Sequence, residues 1–121
     1  MANLSKVSLE KLKTCDARLQ AICHEAIKTY DFVVLCGHRS EADQEKAFRE
    51  GHSKVKFPNS KHNVYPSLAV DLAPYPIDWI DLTRFHYLAG VMLAVAASKG
   101  IPIEWGGDWK MRDYPHYQLK V

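Results

Sequence analysis

Apolar residues recur at three- and four-residue steps from residue 8 to residue 30, through Leu9, Leu12, Leu19, Ile22, Cys23, Ala26, Ile27 and Tyr30. That period predicts one amphipathic helix. The pattern then changes. Phe32 to Cys36 (FVVLC) is a short unbroken run rich in β-branched and aromatic residues, which predicts a buried strand ended by Gly37. Ser40 reads as the N-cap of a second helix, with Glu41 and Asp43 in its acidic first turn, running through Gln44 and Phe48 to Gly51. Residues 51–67 hold Gly, Pro, Ser, Asn and Lys without periodicity and predict a long loop, which inside a small domain is usually functional. Leu68 to Ala73 (LAVDLA) predicts a second strand, ended by Pro74 and Pro76. Asp81 can cap a third helix that buries Leu82, Phe85, Ala89, Met92, Leu93 and Ala96 and stops at Gly100. Ile101 to Trp105 predicts a third strand, Gly106-Gly107 a turn, and His116 to Leu119 a fourth strand pairing back with the third. The order predicts an α+β domain with a small, largely antiparallel sheet flanked by about three helices.

The chain has 121 residues, 47% apolar and 25% charged, so residues 1–121 are read as a single domain. The formal net charge of +2 and the scattered basic residues do not point to nucleic acid. Cys15, Cys23 and Cys36 are odd in number and form no CxxC pair, which suits reduced, mostly buried thiols and argues against a cysteine-built zinc site. The N-terminal MANLSKVSLEKLK lacks the apolar core of a signal peptide, and Leu88 to Ala97 is too short to span a bilayer. The expectation is a protein made soluble in the cytoplasm, with no membrane insertion.

Two segments carry candidate chemistry. In SKHNVYPSLAVDLAP (residues 60–74), His62 lies in the loop and Asp71 lies inside the strand between Val70 and Leu72. Alternation sends Asp71 to the face opposite Val70 and Leu72. An ionised carboxylate in an apolar strand costs several kcal/mol unless a cation meets it, and a metal ion would do so. In GGDWKMRDYPHYQL (residues 106–119), Asp113 and His116 are three apart, across Tyr114-Pro115. Two His and one carboxylate are a common catalytic zinc set, with a fourth position left for water. Asp113 is a candidate for the proton carrier in such a site.

GHRS (residues 37–40) with Gln44, then SKHN and AVDL, then DYPHYQL, together resemble zinc peptidases that include D-alanyl-D-alanine carboxypeptidases and phage L-alanyl-D-glutamate endopeptidases. The resemblance covers about residues 33–119 and is closer to the phage endolysin branch. It implies that His62, Asp71 and His116 bind Zn2+, that Asp113 is the catalytic acid/base, and that Arg39 contacts a substrate carbonyl or carboxylate and stabilises the oxyanion. Ser60 and Gln44 match positions lining the substrate cleft. The stretch between His62 and Asp71 is longer than the family pattern and lacks its glycine, and there Tyr65 adds a candidate substrate contact.

The resemblance further implies hydrolysis of the L-Ala–D-Glu bond in the peptidoglycan stem peptide by a monomer. It would be made in the host bacterium's cytoplasm and released to the periplasmic wall by a separate pore protein. The alternatives are a D-Ala-D-Ala carboxypeptidase or dipeptidase of the same fold, and a non-catalytic zinc-dependent wall-binding module. Trp105 and Trp109 read as packing, His38 as a possible cleft residue, and Glu104 as a rival base without the three-residue spacing to His116.

Overall fold

The computed structural model describes residues 2–121. Four helices and a four-stranded sheet follow one another: α1 (Lys6–Leu12), α2 (Ala17–Ala26), β1 (Phe32–Cys36), α3 (Glu41–Arg49), β2 (Ala69–Pro74), α4 (Leu82–Ser98), β3 (Ile103–Trp105) and β4 (His116–Leu119). The sheet order is β1-β2-β4-β3 and every neighbouring pair is antiparallel. This is the expected α+β class.

The single helix expected over residues 8–30 is two helices. Asp16 starts the second one by accepting from the Arg18 N–H, and the chain between them is held elsewhere. Thr14 and Asp16 exchange backbone hydrogen bonds with Ser67, 2.8 Å and 2.9 Å long. The apolar period runs through this break because both helices face the same core. Leu12, Leu19, Ile22 and Cys23 are all buried.

Other boundaries follow local chemistry. Ser40 caps α3 by accepting from the Asp43 N–H. Gly51 and Gly100, at φ 78° and 69°, take the left-handed turn that stops α3 and α4, which a Cβ disfavours. Asp81 makes no side-chain cap bond, and Leu82 is exposed rather than buried. The first apolar residue of α4 that enters the core is Phe85.

One face of the sheet closes the core. Phe32 and Val34 from β1, Val70 and Leu72 from β2, Ile103 and Trp105 from β3, and Tyr117 and Leu119 from β4 pack with Leu88, Met92 and Ala96 of α4 and the apolar side of α2. Each fully buried side chain of this size contributes about 1.5–3 kcal/mol. Strand alternation then dictates what the other face carries: Glu104, Gln118, His116 and Asp71. Register sets them side by side, because Glu104 pairs with Gln118 and Asp71 with His116. A register shift between Val34 and Cys36 brings Cys36 opposite Asp71. The core on one face thus fixes a polar row across the other.

Candidate metal and catalytic centre

His62 comes to this row from the long loop. A short 3-10 turn, Lys61–Asn63, is capped by Ser60, whose hydroxyl accepts from the His62 N–H at 3.1 Å. Asn63 ties the turn to the preceding loop by donating to the Arg39 carbonyl and to Gln44 Oε1, while the Arg39 N–H donates to the His62 carbonyl at 2.8 Å. His62 is therefore held from both sides and is only 2% exposed.

The three expected ligands meet. His62 Nε2 and His116 Nδ1 each lie 3.2 Å from the same oxygen, Asp71 Oδ1, and the two rings are 5.1 Å apart. The remaining ring nitrogens are committed. His62 Nδ1 is 2.7 Å from the Gly37 carbonyl and His116 Nε2 is 2.8 Å from Gln118 Oε1. Both partners are oxygens that only accept, so both of those nitrogens carry the proton. When the rings are neutral, the nitrogens left facing Asp71, His62 Nε2 and His116 Nδ1, are free to take a metal ion.

Cys36 joins the same cluster, which the sequence did not foretell. Its thiol, with His62 and Asp71, forms a group whose ligand atoms lie within 4.8 Å of one another and that could hold a metal ion. Cys36 Sγ, however, lies 3.9 Å from His62 Nδ1, the nitrogen already donating to Gly37. The other nitrogen of His62, Nε2, faces Asp71 and His116 instead. Cys15 and Cys23 are buried, and burial pushes the Cys15 thiol up to about 12, an unreactive state.

Charge in the cluster is strongly coupled. Burial works against a charged His62, but hydrogen bonding to Asp71 and Cys36 outweighs it and holds the imidazole up at about 10. Burial likewise works against an ionised Asp71, and its bonds to His116 and His62 hold it far below the usual carboxylate range. The site demands a cation, and without metal a proton supplies it.

Around this centre stand the other expected residues. Asp113 Oδ2 lies 3.9 Å from His116 Nδ1, its side chain is 49% exposed, and partial burial and the neighbouring Asp71 raise its carboxyl. Arg39 points one guanidinium nitrogen at Asp71 Oδ2, 3.5 Å away, and donates with the other to Gln44 Oε1 at 2.9 Å. Gln44, expected to line the cleft, is fully buried. Its amide accepts from Arg39 and Asn63 and donates to Ser53 and the Val55 carbonyl, leaving nothing for a substrate. Ser60, also expected to line the cleft, is buried and caps the turn instead. Tyr65 is 68% exposed, with its ring edge-on to His38. Trp109 packs its ring 5.0 Å from that of His116, while Trp105 is buried and donates to the Tyr114 carbonyl.

Gly106 makes the Asp113–His116 segment possible. Its carbonyl accepts from the Asp113 N–H at 3.0 Å, and a Cβ there would strike the Asp113 carbonyl and lie 3.0 Å and 3.1 Å from the Cβ atoms of Asp113 and His116.

The sequence model of the phage L-alanyl-D-glutamate peptidases matches residues 1–119. The chain belongs to that family. It is 29% identical over 120 residues to the L-alanyl-D-glutamate peptidase of Escherichia phage T5, spanning 95% of this chain and 87% of that one. It is 30% identical over 108 residues to the peptidoglycan L-alanyl-D-glutamate endopeptidase CwlK of Bacillus subtilis (strain 168), spanning 78% of this chain and 64% of that one. The crystal structure of the Serratia marcescens L-Ala D-Glu endopeptidase ChiX superposes with a TM-score of 0.83 at 30% identity, over 98% of this chain and 90% of that one. Among the described residues no helix is long and apolar enough to cross a membrane.

Proposed function

We propose that this chain is a zinc-dependent peptidoglycan endopeptidase that hydrolyses the L-Ala–D-Glu bond of the stem peptide. The convergence of two imidazole nitrogens on one carboxylate oxygen carries the metal part of this reading. Three such acceptors repel one another unless a cation lies among them. Two His and one carboxylate are a catalytic zinc set, because a fourth position stays open. The bond is supported by the activity named for relatives that align along most of the chain.

Bound at this point, zinc supplies Lewis acidity, polarising a carbonyl and making water nucleophilic near neutral pH. The remaining work falls to the chain. Asp113, half exposed beside His116 and with its carboxyl raised, suits the acceptance of a proton from the attacking water and its delivery to the leaving amine. Arg39 offers a rigid fork to the oxygen that gains charge as the carbonyl is attacked. Gln44 aims that fork, and Ser60 sets the turn that presents His62. Tyr65 offers an exposed ring at the rim. Monomeric action, a stay in the host cytoplasm and release through a separate pore protein rest on the family resemblance alone.

Mass spectrometry of digested muropeptides tests the function. The expected products are glycans ending in L-Ala and peptides with a free D-Glu amine, formed with zinc and lost with EDTA. Release of D-Ala would make it a carboxypeptidase, and zinc binding without any cleavage would make it a wall-binding module.

A further inference from the structure

The polar row on the open face of the sheet runs on past His116. Gln118 follows two residues along β4, on the same face, and Glu104 is its partner on β3. His116 Nε2 lies 2.8 Å from Gln118 Oε1, and Gln118 Nε2 donates to Glu104 Oε1 at 2.5 Å. Glu104 is thus linked to the metal site through one amide.

We propose that Glu104 is a positioning residue for His116: acting through Gln118, its carboxylate decides which ring nitrogen of His116 is free to bind a metal. The logic is a chain of one-way bonds. A carboxylate only accepts, so the Gln118 amide must turn its N–H toward Glu104. Its oxygen is then turned to His116, and that oxygen also only accepts. His116 must meet it with an N–H on Nε2. A neutral imidazole carries one N–H, so Nδ1 keeps its lone pair, 3.2 Å from Asp71 Oδ1. The negative end of the chain fixes every direction after it.

Take away that charge and the direction is lost. An amide at position 104 can donate or accept, so the Gln118 amide can reverse and donate to His116 Nε2. The ring proton then moves to Nδ1, pointing at Asp71 where the metal would sit. The sequence gives no hint of this, since Glu104 and Gln118 meet only through strand register.

The inference rests on the metal reading above, and its test is chosen so that the two can fail separately. Three variants serve: Glu104→Gln, Gln118→Glu, and the double exchange Glu104→Gln/Gln118→Glu. In the double exchange a carboxylate accepts directly from His116 and the new amide donates to it. Zinc affinity is measured by competition with a chelator, and the His116 tautomer by nitrogen NMR of the metal-free protein. Outer partners of metal-binding histidines are typically worth about 10- to 100-fold in metal affinity. Glu104→Gln is expected to weaken zinc binding by that factor and to populate the Nδ1–H tautomer. The double exchange is expected to recover both to within a few-fold. Unchanged zinc affinity with a purely Nε2–H ring in Glu104→Gln would overturn the proposal, as would a double exchange no better than Glu104→Gln. If the unaltered chain takes up no zinc, the metal reading fails, and the tautomer of Glu104→Gln still decides the role of Glu104.

Discussion

Replacing Gly106 with Ala puts one methyl group into the tightest point behind the proposed catalytic segment. The added Cβ would collide with the Asp113 carbonyl and lie 3.0 Å from Asp113 Cβ and 3.1 Å from His116 Cβ. Non-bonded carbons prefer about 3.5–4.0 Å, so both residues must retreat by several tenths of an ångström, and the carbonyl by about 1 Å. They cannot do so freely, because the Asp113 and Trp109 N–H groups both donate to the Gly106 carbonyl. Overpacking of this kind costs about 1–3 kcal/mol. The larger effect is on catalysis, where a misplacement of about 1 Å can cost on the order of 10²-fold. Gly106→Ala should therefore fold, lose about 1–3 kcal/mol in urea unfolding, and drop about 10²-fold in kcat/KM on a purified muropeptide. Full activity in a folded Gly106→Ala protein would refute the claim that Asp113 and His116 must sit where this glycine lets them.

Further outcomes follow from the same geometry. Asp113→Ala should keep zinc affinity within a few-fold and lose about 10²–10⁴ in kcat; a fully active variant would remove Asp113 from the mechanism. Gln44→Ala should cost about 1–3 kcal/mol for the buried groups it leaves unpaired and reduce kcat/KM by freeing Arg39, whereas unchanged stability would contradict its buried clamp. In metal-free protein, the raised His62 contributes stability that is complete below its ordinary 6.5 and lost as pH climbs toward about 10. Unfolding free energy should fall from pH 6.5 to 8.5 in EDTA, a window below the ordinary thiol value of 9.0 where Cys15 and Cys23 would add to the loss. A flat or rising curve in EDTA would argue against a protonated His62–Asp71 pair.

Much of this was legible along the chain. Val70-Asp71-Leu72 alternates so strictly that burial of the two apolar neighbours leaves the carboxylate only one face. Ser40 and Gly51 mark both ends of α3 by local chemistry alone. What escaped the sequence depends on partners far along it. The break between α1 and α2 is held by Ser67, and nothing near Thr14 announces that bond. Gln44 matches a cleft-lining position in the family pattern, yet Arg39, Asn63 and the Val55 carbonyl fold around it. Cys36 reaches the site through a register shift, and Glu104 through a strand pairing, neither of which periodicity encodes.

A crystal structure of the zinc-soaked protein, with the ion located by anomalous scattering at the zinc edge, bears most directly on the central claim. The ion should lie about 2.0–2.2 Å from His62 Nε2, His116 Nδ1 and an Asp71 oxygen, with one position left to solvent. An ion held instead by Cys36 Sγ and His62 Nδ1, or found away from all three side chains, would contradict it.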